Sequence, residues 1–240
     1  MTQDGRGDRR AELASSLQRV HDRIAAACAA GARDPAEVTL TVVTKFFPAS
    51  DVRLLAGLGV ADVGENRHQE AQAKAAECAD LGLRWHFIGH LQSNKAVAVA
   101  GYSQVVESVD RPSLVPRLSR GAHQAGRPVD CLLQVDLDPD PRAHRGRSGA
   151  APADVPALAE QVAAADGLRL RGVMAVAPLG ADPAPAFGCL ARVAEQVRMV
   201  DGSATWISAG MSGDLEAAVA AGATHVRIGS AILGPRPVLR

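Results

Sequence analysis

Apolar and polar positions alternate along the chain in two distinct patterns. Short apolar runs recur at 39–44 (TLTVVT), 60–64 (VADVG), 84–89 (RWHFIG), 104–108 (QVVES), 131–137 (CLLQVDL), 169–175, 205–208 (TWIS) and 225–228 (HVRI). Most lack a clean period of two, as parallel strands covered on both faces do. Between them lie Ala-, Leu- and Glu-rich stretches such as ENRHQEAQAKAAECADL and GDLEAAVAAGA, helical in period and ended by Gly or Asp. Eight strands, seven intervening helical or turn segments and a leading helix over roughly 9–30 predict a single (β/α)8 barrel with an extra N-terminal helix. A doubly wound open sheet normally uses fewer strands in this length. Residues 1–8 are expected to form a flexible N-terminus and residues 9–240 one domain.

In such a barrel the C-terminal ends of the strands converge on one mouth. Lys45, Glu65, Asn66, His90, Asp136, Met174, Ser208 and Arg227 are expected there. The loops after strands seven and eight, SAGMSGDLEAA and RIGSAILG, are rich in Gly and Ser and lead into helical patterns. That position commonly holds a phosphate, because glycines let backbone N–H groups approach an anion. Ser212 and Ser230 add hydroxyl donors. The loops at 138–152 and 176–186 are rich in Pro, Gly and charge; they read as solvated segments or as flaps over the mouth.

Composition sharpens one of these positions. The chain has 26 Lys and Arg, but lysine occurs only at 45, 74 and 95. A lysine kept at the end of the first strand, opposite a phosphate cradle, suggests chemistry that arginine cannot do. Lysine can lose its proton and attack a carbonyl to form a Schiff base. The ligand is then an aldehyde or ketone carrying a phosphate, either pyridoxal phosphate or a sugar phosphate.

Other features narrow the class. Basic and acidic residues balance at 26 each, so no global field draws in nucleic acid or a membrane surface. No run of about 18 apolar residues suggests a membrane span, and the polar N-terminus lacks a signal-peptide core. Cys28, Cys78, Cys131 and Cys189 are widely spaced without a CxxC pair, so neither zinc nor a disulfide framework is expected. The location expected is the cytoplasm. His86 and His90 are four apart, but His86 falls in a strand, so no metal is expected. Ser93 and Asn94 in LQSNK suit a helix cap. Glu65 and Asp136 read either as an acid–base pair or as partners of arginines.

Five segments, VTKFFP, GENRHQEAQAK, WHFIGHLQSNK, LRGVMAV and SAGMSGDLEAAVAAGATHVRIGSAILG, resemble in order and spacing the pyridoxal phosphate homeostasis proteins. The resemblance runs from about residue 9 to 236. That family is similar to the N-terminal barrel of alanine racemase without its second domain. The resemblance implies that Lys45 holds pyridoxal 5'-phosphate as a Schiff base and that Asn66 lies beside the ring. It places the phosphate on Ser212, Gly229 and Ser230, Arg227 opposite the pyridine nitrogen, and Ser208 and Met211 in the pocket lining. His90, Ala209 and Ser230 depart from the family pattern, although Ser230 keeps the hydroxyl of the usual threonine.

The implied function is binding of pyridoxal phosphate for vitamin B6 and amino-acid homeostasis, with no catalytic residues and no significant turnover. Recipients implied are pyridoxal-phosphate-dependent apoenzymes, and a monomer is expected. The racemases draw a tyrosine from a second domain, whereas the only tyrosine here, Tyr102, precedes strand four. The alternatives are a racemase-like enzyme using the same cofactor, or a class I aldolase acting on a phosphorylated sugar.

Overall fold

The computed structural model describes residues 3–138 and 148–235, with side chains from residue 7 onward. Of the predicted loop at 138–152, residues 139–147 lie outside the described residues. The strands are β1 (Thr39–Val43), β2 (Asp62–Glu65), β3 (Arg84–Phe87), β4 (Val105–Val109), β5 (Val129–Gln134), β6 (Leu168–Met174), β7 (Trp206–Ser208) and β8 (His225–Ile228). They form a closed barrel in chain order, with every pair parallel. β8 closes it by pairing back on β1, with Thr41 opposite Arg227. The predicted (β/α)8 barrel is therefore the fold.

The helices are α1 (Gln3–Ala30), α2 (Ala49–Ala56), α3 (His68–Glu77), α4 (Ala96–Tyr102), α5 (Val115–Ala125), α6 (Val155–Ala163), α7 (Pro183–Val200), α8 (Leu215–Ala220) and α9 (Ser230–Leu233). Two boundaries differ from the sequence reading. The leading helix begins at Gln3 rather than near residue 9. The loop predicted over 176–186 is shorter, because Asp182 caps α7 by accepting from the Ala184 N–H at 3.0 Å and Pro183 sits at the first helical position. A proline is tolerated there, since its missing N–H has no helical partner to lose. None of the helices among the described residues is long and apolar enough to cross a membrane.

α1 is integral to the barrel wall. Leu13, Leu17, Val20, Ile24, Ala27 and Cys28 recur every three or four residues and pack with Val42, Leu215, Val219, Val226 and Ile228. Polar contacts tie down its other faces. Arg9 donates to Asp51 Oδ2 at 2.8 Å and to the Leu233 carbonyl at 3.0 Å. Arg23 pairs with Glu216 at 2.8 Å and donates to the Ser212 carbonyl at 3.0 Å. One helix thus fastens the loops that follow β7 and β8 from behind.

The apolar core lies mainly between the sheet and its helices, where Val106, Leu118, Val129, Leu133, Leu158 and Leu190 are buried together. Inside the barrel, among the described residues, Val105, Leu132 and Met174 form a small apolar cluster with Trp206 against it. Barrel interiors are usually filled by Val, Ile and Leu. This one instead carries His86, Glu107, Ser208, His225 and Arg227, all buried.

The barrel wall also contains an obligatory glycine. Gly172 in β6 has φ +146°, and a Cβ there would come within 1.9 Å of the Trp206 carbonyl oxygen on β7. The β5–β6 register shifts beside it, between Cys131 and Leu132. Gly172→Ala is expected to lower stability by on the order of 3 kcal/mol or more, through backbone strain and overpacking together. Urea unfolding reads the effect; an unchanged midpoint would remove Gly172 from this role.

Candidate functional site

The first site residue is aimed by a strained turn. β1 ends at Val43, and the chain then turns through Thr44, Lys45 and Phe46, with the Phe47 N–H donating to the Thr44 carbonyl at 3.1 Å. Phe46 has φ +72°. A left-handed conformation costs a bulky L-residue about 1–2 kcal/mol, so surrounding contacts must hold it. The Phe46 N–H donates to Glu70 Oε1 at 2.7 Å.

Behind this turn sits the second lysine. Lys74, buried on α3, donates from Nζ to the Thr44 carbonyl at 2.8 Å, to Glu65 Oε1 at 2.7 Å and to Glu70 Oε1 at 2.8 Å. The Thr44 hydroxyl adds a bond to Glu65 Oε1 at 2.6 Å. A compact ammonium with three donors matches three convergent acceptors better than a planar guanidinium does. Burial raises the Glu65 carboxyl above its ordinary value, and the charge and hydrogen bonds of Lys74 oppose that rise. The expected partner of Glu65 was an arginine or a second acid; the clamp replaces both.

In front of the clamp, seven of the eight predicted site residues meet. Lys45, Asn66, Met211, Ser212, Arg227, Gly229 and Ser230 line one cavity of about 440 Å³ at the C-terminal end of the strands. Small-molecule sites typically span roughly 300–1,000 Å³. The Ser230 hydroxyl donates to Ser212 Oγ at 3.3 Å, and the Ala231 N–H lies 3.4 Å from the same oxygen. Asp214 closes the Ser212 loop by accepting from the Met211 N–H at 2.6 Å. Asn66 Oδ1 is buried without a hydrogen-bond partner among the described residues. Gly89 makes this approach of loops feasible, since a Cβ there would come 2.1 Å from the Asn66 carbonyl oxygen.

Ser208 is the eighth, and it does not line the cavity. It lies fully buried beneath Arg227, whose Nη1 donates to Ser208 Oγ at 2.7 Å. A serine at the end of a strand of only three residues points into the barrel, where a charged chain claims it. The Ser208 hydroxyl donates to Glu107 Oε2 at 2.6 Å. Glu107 Oε1 meets His86 Nδ1 at 2.7 Å, His86 Nε2 meets Asp62 Oδ1 at 2.9 Å, and Arg84 pairs with Asp62 at 2.8 Å. The chain runs from the N-terminal ends of β2 and β3 to the cavity floor.

Burial alone would lift the Glu107 pKa, but hydrogen bonds from His86 and Ser208 and the charges of His86 and Arg227 hold it at about 2. Burial likewise works against His86, yet its bonds to Asp62 and Glu107 raise it above its ordinary value. Arg227 is lowered by burial, with the charges of Glu107 and Asp214 opposing. Glu107 was not singled out from the sequence, and His86 was weighed only as half of a metal pair that its strand position argued against. The available signal was a charged residue inside each of two apolar strand runs, VVESV and RWHF.

Other predicted positions behave differently. His90 is more than half exposed, 4.0 Å from Asp110 Oδ2, and is absent from the cavity lining. Ser93 and Asn94 cap nothing: they lie within a short 3-10 turn preceded by Gln92, and Ser93 Oγ instead accepts from Arg111 at 3.3 Å. Tyr102 stacks on His68 at 5.9 Å, outside the cavity. Gln134, unremarked in the sequence, does line the cavity and donates to the Ser148 carbonyl at 2.6 Å. A larger groove of about 920 Å³ between α3, α4 and α5 has no charged residue in its lining, so it offers neither amine nor cation to a phosphorylated carbonyl. Among the described residues no cluster of His, Cys, Asp and Glu could hold a metal ion.

The alanine racemase N-terminal domain profile matches residues 38–237. The pyridoxal phosphate homeostasis protein of Pseudomonas aeruginosa is 44% identical over 224 residues, covering 93% of this chain and 96% of the relative. The protein of the same name from Mycobacterium tuberculosis is 41% identical over 245 residues, covering 95% of each. Among solved structures, PipY of Synechococcus elongatus with PLP bound is 35% identical, with a TM-score of 0.80, over 92% of this chain and 100% of that one. The chain belongs to the alanine racemase N-terminal domain family and, within it, to the pyridoxal phosphate homeostasis proteins.

The barrel interior gives a test by pH. Burial holds His225 down to about 4 from an ordinary 6.5, so within that window the unfolded chain binds a proton that the folded chain refuses. His225 therefore takes stability away as pH drops from 6.5 to about 4, while the raised Glu65 carboxyl opposes it by costing stability as pH rises above 4.5. Glu107 adds a loss below 4.5 as pH falls toward 2. His86 acts in the opposite direction: its stabilisation is complete below 6.5 and is lost as pH rises through its raised folded value. Urea midpoints are expected to peak near pH 6.5, and His225→Phe to flatten most of the acid slope between 6.5 and 4. A midpoint that keeps rising above pH 6.5 would contradict this assignment.

Proposed function

We propose that this member of the pyridoxal phosphate homeostasis protein family binds pyridoxal 5'-phosphate in the cavity at the barrel mouth and serves as its carrier, not as a catalyst. The observation that carries the reading is the convergence of an amine, a pair of hydroxyls and a buried guanidinium on one cavity: Lys45, Ser212 with Ser230, and Arg227. The donor set fits the cofactor. Ser212, Ser230 and the Gly229 backbone suit a phosphate, and the unpartnered Asn66 Oδ1 suits a hydroxyl donor beside a ring. When bound, the cofactor supplies an aldehyde that condenses reversibly with an amine. Lys45 would be that amine, Arg227 would lie toward the ring, and Met211 would form part of the wall, all three lining the cavity. Ser208 acts from below, on Arg227, and not as a pocket wall.

The residues of the cavity support holding over turnover. Racemisation needs an acid or base on each face of the bound amino acid. Lys45 serves one face. Arg227 is fixed by Ser208 and by the Ala175 carbonyl at 2.7 Å, and a guanidinium offers no acceptor. Tyr102 stacks on His68 elsewhere. The same reading assigns this chain a cytoplasmic place as a monomer, with residues 9–240 as one domain and pyridoxal-phosphate-dependent apoenzymes as recipients.

Two measurements test it. Each charge-assisted bond to phosphate is worth about 1.5–3 kcal/mol, so Ser212→Ala with Ser230→Ala is expected to weaken cofactor retention at least about tenfold. Unchanged retention would move the phosphate elsewhere. Chiral analysis of alanine and serine after long incubation with cofactor-loaded protein should find little conversion. Racemisation at an ordinary enzymatic rate, on the order of 1–10³ per second, would make the protein an enzyme.

A further inference from the structure

Arg227 is a buried cation in a barrel interior, and its placement needs an explanation. Isolated charges taken from water into such a setting cost several kcal/mol unless paired and hydrogen-bonded. The nearest carboxylate, Glu107, is 1% exposed and lies 3.9 Å from Arg227 Nη1, too far for a direct hydrogen bond. The Ser208 hydroxyl fills the gap, donating to Glu107 Oε2 at 2.6 Å and accepting from Arg227 Nη1 at 2.7 Å. Those roles cannot be exchanged. An ionised carboxylate only accepts and a guanidinium only donates, so the hydroxyl proton must point at Glu107 and a lone pair at Arg227.

The far side of Glu107 is fixed as well. Oε1 meets His86 Nδ1 at 2.7 Å, and His86 is held at its other nitrogen by Asp62 at 2.9 Å. His86, Glu107, Ser208 and Arg227 come from four different strands, β3, β4, β7 and β8. The guanidinium is gripped at Nη1 by Ser208 and at Nη2 by the Ala175 carbonyl at 2.7 Å. Its orientation toward the cavity it lines is thereby set from within the barrel.

We propose that Glu107 is a positioning residue of the ligand site, acting through the Ser208 hydroxyl to hold the Arg227 guanidinium in place and to balance its charge. Glu107 is not among the residues lining the cavity, so it would act on a ligand there only through others. The inference rests on the reading of this cavity as a pyridoxal phosphate site. Its consequence is specific: removing the Glu107 charge matters to the ligand only while Arg227 is present.

A double-mutant cycle tests that consequence. Pyridoxal phosphate is titrated into wild type, Glu107→Gln, Arg227→Gln and the double variant, affinity is read from the visible band of bound cofactor, and thermal melts confirm folding. Glu107→Gln is expected to weaken affinity about tenfold on its own and less than about twofold in the Arg227→Gln background, a coupling in the usual range for groups in one network. An equal loss in both backgrounds, or no loss in either, overturns the proposal, since a merely structural role would not depend on Arg227. If Glu107→Gln fails to fold, Ser208→Ala cuts the same bridge while keeping both charges and is expected to show the same dependence on Arg227; wild-type affinity in that variant overturns the proposal. A wild-type protein that develops no visible band at all would overturn the cofactor reading and this inference with it, an outcome distinct from failed coupling in a protein that binds.

Discussion

The Lys74 ammonium holds the site together. Three acceptors, the Thr44 carbonyl, Glu65 and Glu70, converge on its Nζ within 2.7–2.8 Å. They come from just past the end of β1, the end of β2 and the first turn of α3, so one charge on α3 ties its own helix to two neighbouring strands. Glu70 is used twice, accepting also from the Phe46 N–H. That contact helps offset the cost of a left-handed phenylalanine. Lys45 lies between two anchored residues, Thr44 and Phe46, which fix the backbone that carries it.

A second constraint operates across the barrel. The cation at the floor of the cavity sits in an interior that carries Asp62, His86 and Glu107 where branched aliphatics are usual, with the partly exposed Arg84 pairing Asp62 at the outer end. Such groups are poor contributors to net stability, because desolvation offsets most of the attraction. Stability must come chiefly from the apolar layer between sheet and helices, with α1 sealing the β1–β8 side. The two layers thus divide the work: the outer one holds the fold and the inner one orients a single guanidinium. α1 contributes to both, since Arg9 and Arg23 fasten the loops after β8 and β7 while its apolar face packs on the wall.

Much of this was legible in the chain itself, and what was not has a physical cause. The eight strands were readable because both faces of each are covered, which leaves short apolar runs between helical periods. Lys45 was readable from lysine scarcity, but the same scarcity also marked Lys74, whose role is a buried structural clamp. Rarity alone therefore does not tell the proposed reactive amine from a structural ammonium. Glu107 and Ser208 are 101 residues apart, and no local pattern joins them; only closure of the barrel does. That is also why Ser208, correctly placed at a strand end, was expected one layer too high. The Ser93 and Asn94 cap failed for a local reason: the chain enters α4 through a 3-10 turn, and Arg111 takes the serine hydroxyl.

The central claim is that two lysines beside one strand end have separate tasks, Lys45 as the reactive amine and Lys74 as its support. Borohydride reduction of the cofactor-loaded protein, followed by proteolysis and mass spectrometry, separates them directly. The account predicts the reduced pyridoxyl adduct on the peptide containing Lys45. An adduct carried by the peptide containing Lys74 or Lys95 in the folded protein would contradict it.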